Sequence, residues 1–248
     1  MRSKIMLAGL GLTALALGAG SASTAQAAPA PVTETPSPYW GTILRNTYGE
    51  PSAVLRSGPW TRNGPIPAPA NGQPPYGTGS LQLTVGGVGQ KIVYGNESIF
   101  AGKSLASLYT LKYQVYVGMD TPTSLPNLDI EVNPHLAALP AKTYTTLVSV
   151  PPAPLGSDTW QKVDAAKPGN GNRWWSTGAV GTSIGCTQVT LCSFAQLKAK
   201  LPGAVIGTIA LAYGSTTGTS TFIGAVDGLQ VGGVLYDFEP SGVFSRTP

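Results

Sequence analysis

Charge is scarce in this chain. Only 10% of its 248 residues are Asp, Glu, Lys or Arg, and the 15 basic residues barely exceed the 11 acidic ones. Two of the basic residues, Arg2 and Lys4, sit in the first few positions, which leaves 13 against 11 scattered over the rest. Neutralising nucleic-acid phosphates needs basic side chains gathered on one face, and no such cluster exists, so no nucleic-acid partner is expected. The low charge is not a mark of disorder, because 42% of the residues are hydrophobic.

Histidine and cysteine are almost missing. His135 is the single histidine. It follows Pro134 in a loop-like stretch, and a Ser-His-Asp arrangement would have to use it. The two cysteines, Cys186 and Cys192, lie in "GCTQVTLC". With one histidine they cannot complete a tetrahedral zinc site without carboxylates, and they do not form a C-x-x-C pair. In an oxidising compartment that spacing predicts one local disulfide.

Long apolar runs are also missing after the N-terminus. "IMLAGLGLTALALGAG" (Ile5–Gly20) is too short and too rich in Gly and Ala to span a bilayer, which takes about 20 apolar residues. Preceded by Arg2 and Lys4, and followed by small residues with "AQA" at Ala25–Ala27, it has the layout of a secretory signal peptide. The expected product is secreted, without a membrane span, and monomeric.

Proline and glycine, by contrast, are abundant, 22 and 32 residues respectively. "APAPVTETPSP" (Ala28–Pro38) has no apolar period and predicts an extended tether. The expected organisation is a signal peptide over 1–27, a Pro-rich linker over 28–40, one globular domain over 41–240 and a C-terminal tail over 241–248. Within the domain, short apolar–polar alternations are separated by Gly, Pro and Asn. "LKYQVYV" (Leu111–Val117) puts Leu111, Tyr113, Val115 and Val117 on one face and Lys112, Gln114 and Tyr116 on the other. "NLDIEVN" (Asn127–Asn133) alternates in the same way. "SLQLTV", "QKIVYG", "TYTTLVSV", "WQKVD" and "RWWST" predict further strands, as do "AVIGTIALAYG" and "TFIGAVDGLQVGGVLYDFE". "SFAQLKAKLPG" predicts one helix, with Ser193 and Gln196 as a capping box and Pro202-Gly203 as its stop. A second helical turn is expected at Lys103–Leu108. The fold class is therefore all-β: a two-sheet antiparallel β-sandwich of jelly-roll form with one or two short helices.

The order of "GPIPAPANGQPPYGTGSLQLTVG", "LYTLKYQVYV", "NLDIEVN", "WQKVDA", "RWWST", "FAQLKAKLPGAVI" and "VDGLQVGGVLYDFE" resembles a group of exported bacterial proteins that look like carbohydrate-binding-module jelly rolls. The resemblance covers about Ser57–Glu239 and implies fold more than function. "NLDIE" is similar to the strand signature of laminarinase-like retaining β-glucanases. There, two glutamates act as nucleophile and acid/base around a middle Asp. Here Asp129 and Glu131 match the middle and last positions, while Asn127 stands at the first. An amide cannot accept a glycosyl group, so a hydrolase would need Asp129 in an unusual role. The competing expectation is that both acids pair with cross-strand cations such as Lys112.

The polar and aromatic residues predict binding better than catalysis. A sugar ring stacks its apolar face on Trp or Tyr and offers its hydroxyls to planar polar groups. The candidate ligand-binding residues are Tyr116, Asn127, Asp129, Glu131, Arg173, Trp174 and Trp175. Trp174 and Trp175 are adjacent, so in a strand one faces the core and the other faces out. Asp227, Asp237 and Glu239 cluster near the end of the chain, as turn caps or as ligands of a structural calcium. No other cofactor is expected. Three functions follow as expectations: non-catalytic binding of a polysaccharide or cell-surface glycan; hydrolase or lyase action through Asp129 and Glu131; and a structural or adhesive role in the envelope.

Overall fold

The computed structural model describes residues 34–61, 64–65, 72–118, 124–167 and 173–248; at 60–61, 64–65 and 219–220 it describes the backbone alone. The expected signal peptide, 1–27, lies outside these residues. The described strands begin with β1 (Thr35–Pro36), β2 (Trp40–Thr42), β3 (Ser52–Ser57), β4 (Trp60–Thr61) and β5 (Gly64–Pro65). Next come β6 (Gly79–Val88), β7 (Lys91–Asn96), β8 (Leu111–Val117), β9 (Asn127–Asn133), β10 (Thr145–Val150), β11 (Trp160–Asp164) and β12 (Arg173–Ser176). Helices α1 (Gly178–Ile184) and α2 (Phe194–Lys200) precede β13 (Val205–Gly214), β14 (Thr219–Val231), β15 (Val234–Glu239) and β16 (Gly242–Arg246).

Every pairing is antiparallel. Sheet B runs β12-β10-β9-β13-β7-β2. In sheet A the long β14 is the hub. Its residues Gly224–Val226 pair with β6 on one edge and β8 on the other, and β11 lies beyond β8. Past a bulge after Asp227, the edge that carried β6 takes β15 instead, and β16 and β1 follow outward. The central strands thus stack as β6-β14-β8-β11 against β7-β13-β9-β10, and the chain crosses between the sheets at most of their connections. The result is a two-sheet jelly-roll sandwich.

The alternating strands close one core between the sheets. Leu111, Tyr113, Val115 and Val117 of β8 meet Leu128, Ile130 and Val132 of β9, with Trp174, Phe222 and Phe238 also fully buried. Burying one such side chain contributes about 1.5–3 kcal/mol. β13 is apolar on both faces because its outer Ala210 and Ala212 are covered by Ile43. The capping box at Ser193 and Gln196 forms, and the turn near Lys103–Leu108 is a short 3-10 segment at Leu105–Ser107.

Two boundaries differ from expectation. Residues 34–40, expected in the linker, belong to the sandwich: β1 pairs with β16, and Trp40 packs edge-on against Phe100 and Phe238. The expected tail, 241–248, is mostly strand β16, held between β15 and β1. Helix α1 was not expected either. "GAVGTSI" has poor helix propensity, and no side chain caps its start. It holds because Val180 and Ile184 are buried and Gly185 takes the left-handed terminating conformation (φ 67°).

Candidate functional site

The acid row stands on the outer face of sheet B. β9 turns Leu128, Ile130 and Val132 to the core, so Asn127, Asp129 and Glu131 must face away from it. β9 is interior, with β10 on one side and β13 on the other. Asp129 and Glu131 are only 3% and 4% exposed. Lys91, reaching across from β7, donates to Asp129 Oδ2 at 3.2 Å, and Asn127 Nδ2 donates to Oδ1 at 2.6 Å. Glu131 accepts from Arg45 and Asn46 of the segment that crosses this face, and from the Tyr144 hydroxyl at 2.7 Å. Arg45 also bonds Glu97 and reaches Thr208 at 3.2 Å. The cross-strand cations are thus Lys91 and Arg45, while Lys112 stands 3.9 Å from Asp164 on the other sheet.

These surroundings separate the two carboxyls. Burial raises Asp129 above the usual carboxylate range, and the charge of Lys91 only partly offsets it. Burial acts the same way on Glu131, but hydrogen bonds from Thr208, Tyr144 and Arg45, with the Arg45 charge, outweigh it and hold the carboxyl low. A catalytic pair needs room for a sugar between its carboxyls. Here their oxygens are filled by protein donors.

The other candidate residues divide between the sheets. Register places Arg173 opposite Val150, and Trp175 opposite Val148, which itself pairs with Asp129. Arg173 and Trp175 therefore share the outer face of sheet B with Asn127, Asp129 and Glu131. Trp174 is the inward member of its pair, fully buried and donating from Nε1 to Ala165 O at 2.7 Å. Tyr116 belongs to the outer side of sheet A. It is buried beneath Trp160, ring centroids 5.5 Å apart, and its hydroxyl bonds Asp158 at 3.1 Å. Burial, and then the Asp158 charge, raise the phenol well above its ordinary value. Neither Trp174 nor Tyr116 meets solvent as a stacking surface; Trp174 packs on Phe194 in the core, and Tyr116 lies under Trp160.

That outer side of sheet A carries an open groove of about 970 Å³. Its floor is the polar face of β8 and β11, in cross-strand register: Lys112 opposite Asp164 and Gln114 opposite Lys162, with Trp160 lying over the buried Tyr116. Gln230 of β14 extends the floor beside Lys112. Trp160 and Tyr76, both half-buried, supply aromatic surface. Gly228 shapes one wall. It has φ +63°, and a Cβ there would overlap the Tyr76 ring, so a side chain is excluded both by backbone and by space. Sequence reasoning missed Trp160, Tyr76 and Gln230. The polar faces of "LKYQVYV" and "WQKVD" were legible, but not the pairing of β11 with β8 that joins them.

Beside the groove lie the terminal acids. Asp227 accepts from the amides of Tyr76 (3.1 Å) and Phe238 (3.3 Å); burial, then the charge of Asp237, push its carboxyl up to about 8. Glu239 accepts from the amides of Thr78 (2.7 Å) and Gly79 (3.1 Å). Among the described residues, no three acidic, histidine or cysteine side chains form a ready metal cage. The disulfide Cys186–Cys192 is formed, and no described helix is long and apolar enough to cross a membrane. No family model, curated protein or solved structure matches this chain.

Proposed function

We propose that this chain is an exported, non-catalytic glycan-binding protein that holds a polysaccharide or cell-surface glycan in the groove of sheet A. The observation that carries this reading is the groove's composition. Trp160 and Tyr76 offer faces to the apolar side of a sugar ring, and Gln114, Gln230, Lys112 and Asp164 offer planar or charged partners to its hydroxyls. The groove is also of the size ordinary ligand sites have, roughly 300–1,000 Å³. The disulfide suits an oxidising exterior. The commitment of Asp129 and Glu131 to Lys91 and Arg45 supports binding over hydrolysis.

The test is retention on insoluble plant, fungal and bacterial wall polysaccharides, followed by a glycan array, for the unaltered chain, Trp160→Ala and Glu131→Gln. Losing the half-buried Trp160 indole should weaken binding about tenfold, in line with about 1.4 kcal/mol for a lost stacking contact. Glu131→Gln should leave it within about twofold. Absence of retention on every polymer would sink the proposal. So would binding lost through Glu131→Gln and kept in Trp160→Ala.

A further inference from the structure

The acids beside the groove carry a second site, independent of any glycan. Asp237 lies on β15, where Tyr236 and Phe238 point into the core and Asp237 points out. It is nevertheless 1% exposed, and neither Oδ1 nor Oδ2 has a hydrogen-bond partner. Among the described residues these are the only buried side-chain polar atoms so placed. Leaving a carboxylate buried and unpaired costs several kcal/mol, so the arrangement lacks its counter-charge.

The neighbours do not provide it. The carboxyl of Glu34 comes within bonding reach of Asp237 and brings a second negative charge, not a donor; the charge of Glu239 acts in the same direction. Arg246 acts favourably on Asp237 by its charge, but its direct ion pair is with Glu34. Its Nη1 pairs with Glu34 at 3.0 Å and its guanidinium lies over the Tyr76 ring at 4.9 Å. Glu239 and Asp227 are each satisfied by backbone amides. Two carboxyls, Asp237 and Glu34, are thus brought together from opposite ends of the described chain by the β1-β16-β15 pairing, with neither Asp237 oxygen hydrogen-bonded.

We propose that Asp237 and Glu34 bind a calcium ion between β15 and the start of β1, with backbone carbonyls and water completing its shell. Calcium fits because the donors are hard oxygens with no imidazole or thiolate among them, and because calcium accepts irregular shells of six to eight oxygens. Magnesium demands a stricter octahedron and gives up its water reluctantly. Glu239 stands close enough to contribute charge without leaving its amide partners.

The full chain, stripped with EDTA, should bind one equivalent of Ca²⁺ by titration calorimetry, and its melting temperature should rise with Ca²⁺ and fall back with EDTA. Mg²⁺ should bind at least about tenfold more weakly. Asp237→Asn should abolish both the heat and the thermal shift. Glu34→Gln, at the half-exposed partner, should fold normally and weaken Ca²⁺ by about tenfold or more, which keeps the test decisive if Asp237→Asn fails to fold. A chain whose melting temperature is identical in Ca²⁺ and EDTA, with no binding heat, overturns the proposal. Unchanged Ca²⁺ affinity in Glu34→Gln overturns it as well.

Discussion

Asp129 and Glu131 are two positions apart on one strand, equally buried, and electrostatically opposite. Glu131 is held below its ordinary range, so its ionised form favours the fold. That contribution is complete above the unfolded carboxyl's value and fades as pH falls through the lower folded one. Asp129 is raised, so its ionised form works against the fold as pH climbs past its folded value. The two substitutions should therefore behave differently. Glu131→Gln should cost about 2 kcal/mol at neutral pH, from lost charged hydrogen bonds, and that cost should shrink below about pH 4. Asp129→Asn should cost less at neutral pH, because Lys91, a quarter exposed, can turn to water. Urea midpoints measured from pH 3 to 7 check this; a larger loss from Asp129→Asn than from Glu131→Gln would refute it.

At the scale of elements, the disulfide guards an edge. Cys192 exchanges both backbone hydrogen bonds with Trp174 on β12, at 2.7 and 2.8 Å, and the amide of Ser176 donates to Cys186 O at 2.9 Å. The Cys186–Cys192 segment so covers the outer strand of sheet B, which otherwise offers unpaired amides. A six-residue separation closes a small loop, worth about 2 kcal/mol in chain entropy. Replacing both cysteines by serine should lower unfolding free energy by about that amount in denaturant titrations, and should speed amide exchange in β12 and α1 while β8 and β11 stay protected. Element scale is also where the sequence was most legible. Period-2 alternation located β8, β9 and β11 to the residue, because each alternates apolar core-facing residues with polar or aromatic ones on its outer face. α1 was hidden, since its helicity comes from burial and not from propensity. β1 and β16 were hidden because a proline-bearing strand and a short glycine-flanked one carry little alternation. The groove was half visible: its polar residues could be read, but register, which joins β8 to β11 across more than forty residues, is a tertiary fact.

Among the described residues one main core lies between the sheets, beside a small cluster of Ile43, Val93, Ala210 and Ala212. β8, β9, β13 and β14 all contribute to the same buried cluster, and Trp40, near the start of the described chain, packs on Tyr236 and Phe238 near its end. Neither sheet keeps an apolar face of its own to fold upon. Calorimetry should therefore show a single unfolding transition with equal calorimetric and van't Hoff enthalpies; two separated peaks would mean that the sheets melt independently. The pairing of β1 with β16 has a mechanical side. Thr35 lies opposite Ser245, so the first and last described strands pair near their outer ends, on rungs of one ladder. Tension applied through both ends would peel those rungs one after another, starting at the Glu34–Arg246 contact, instead of shearing them together. A tether at each end thus makes this rim the point where force first opens the protein.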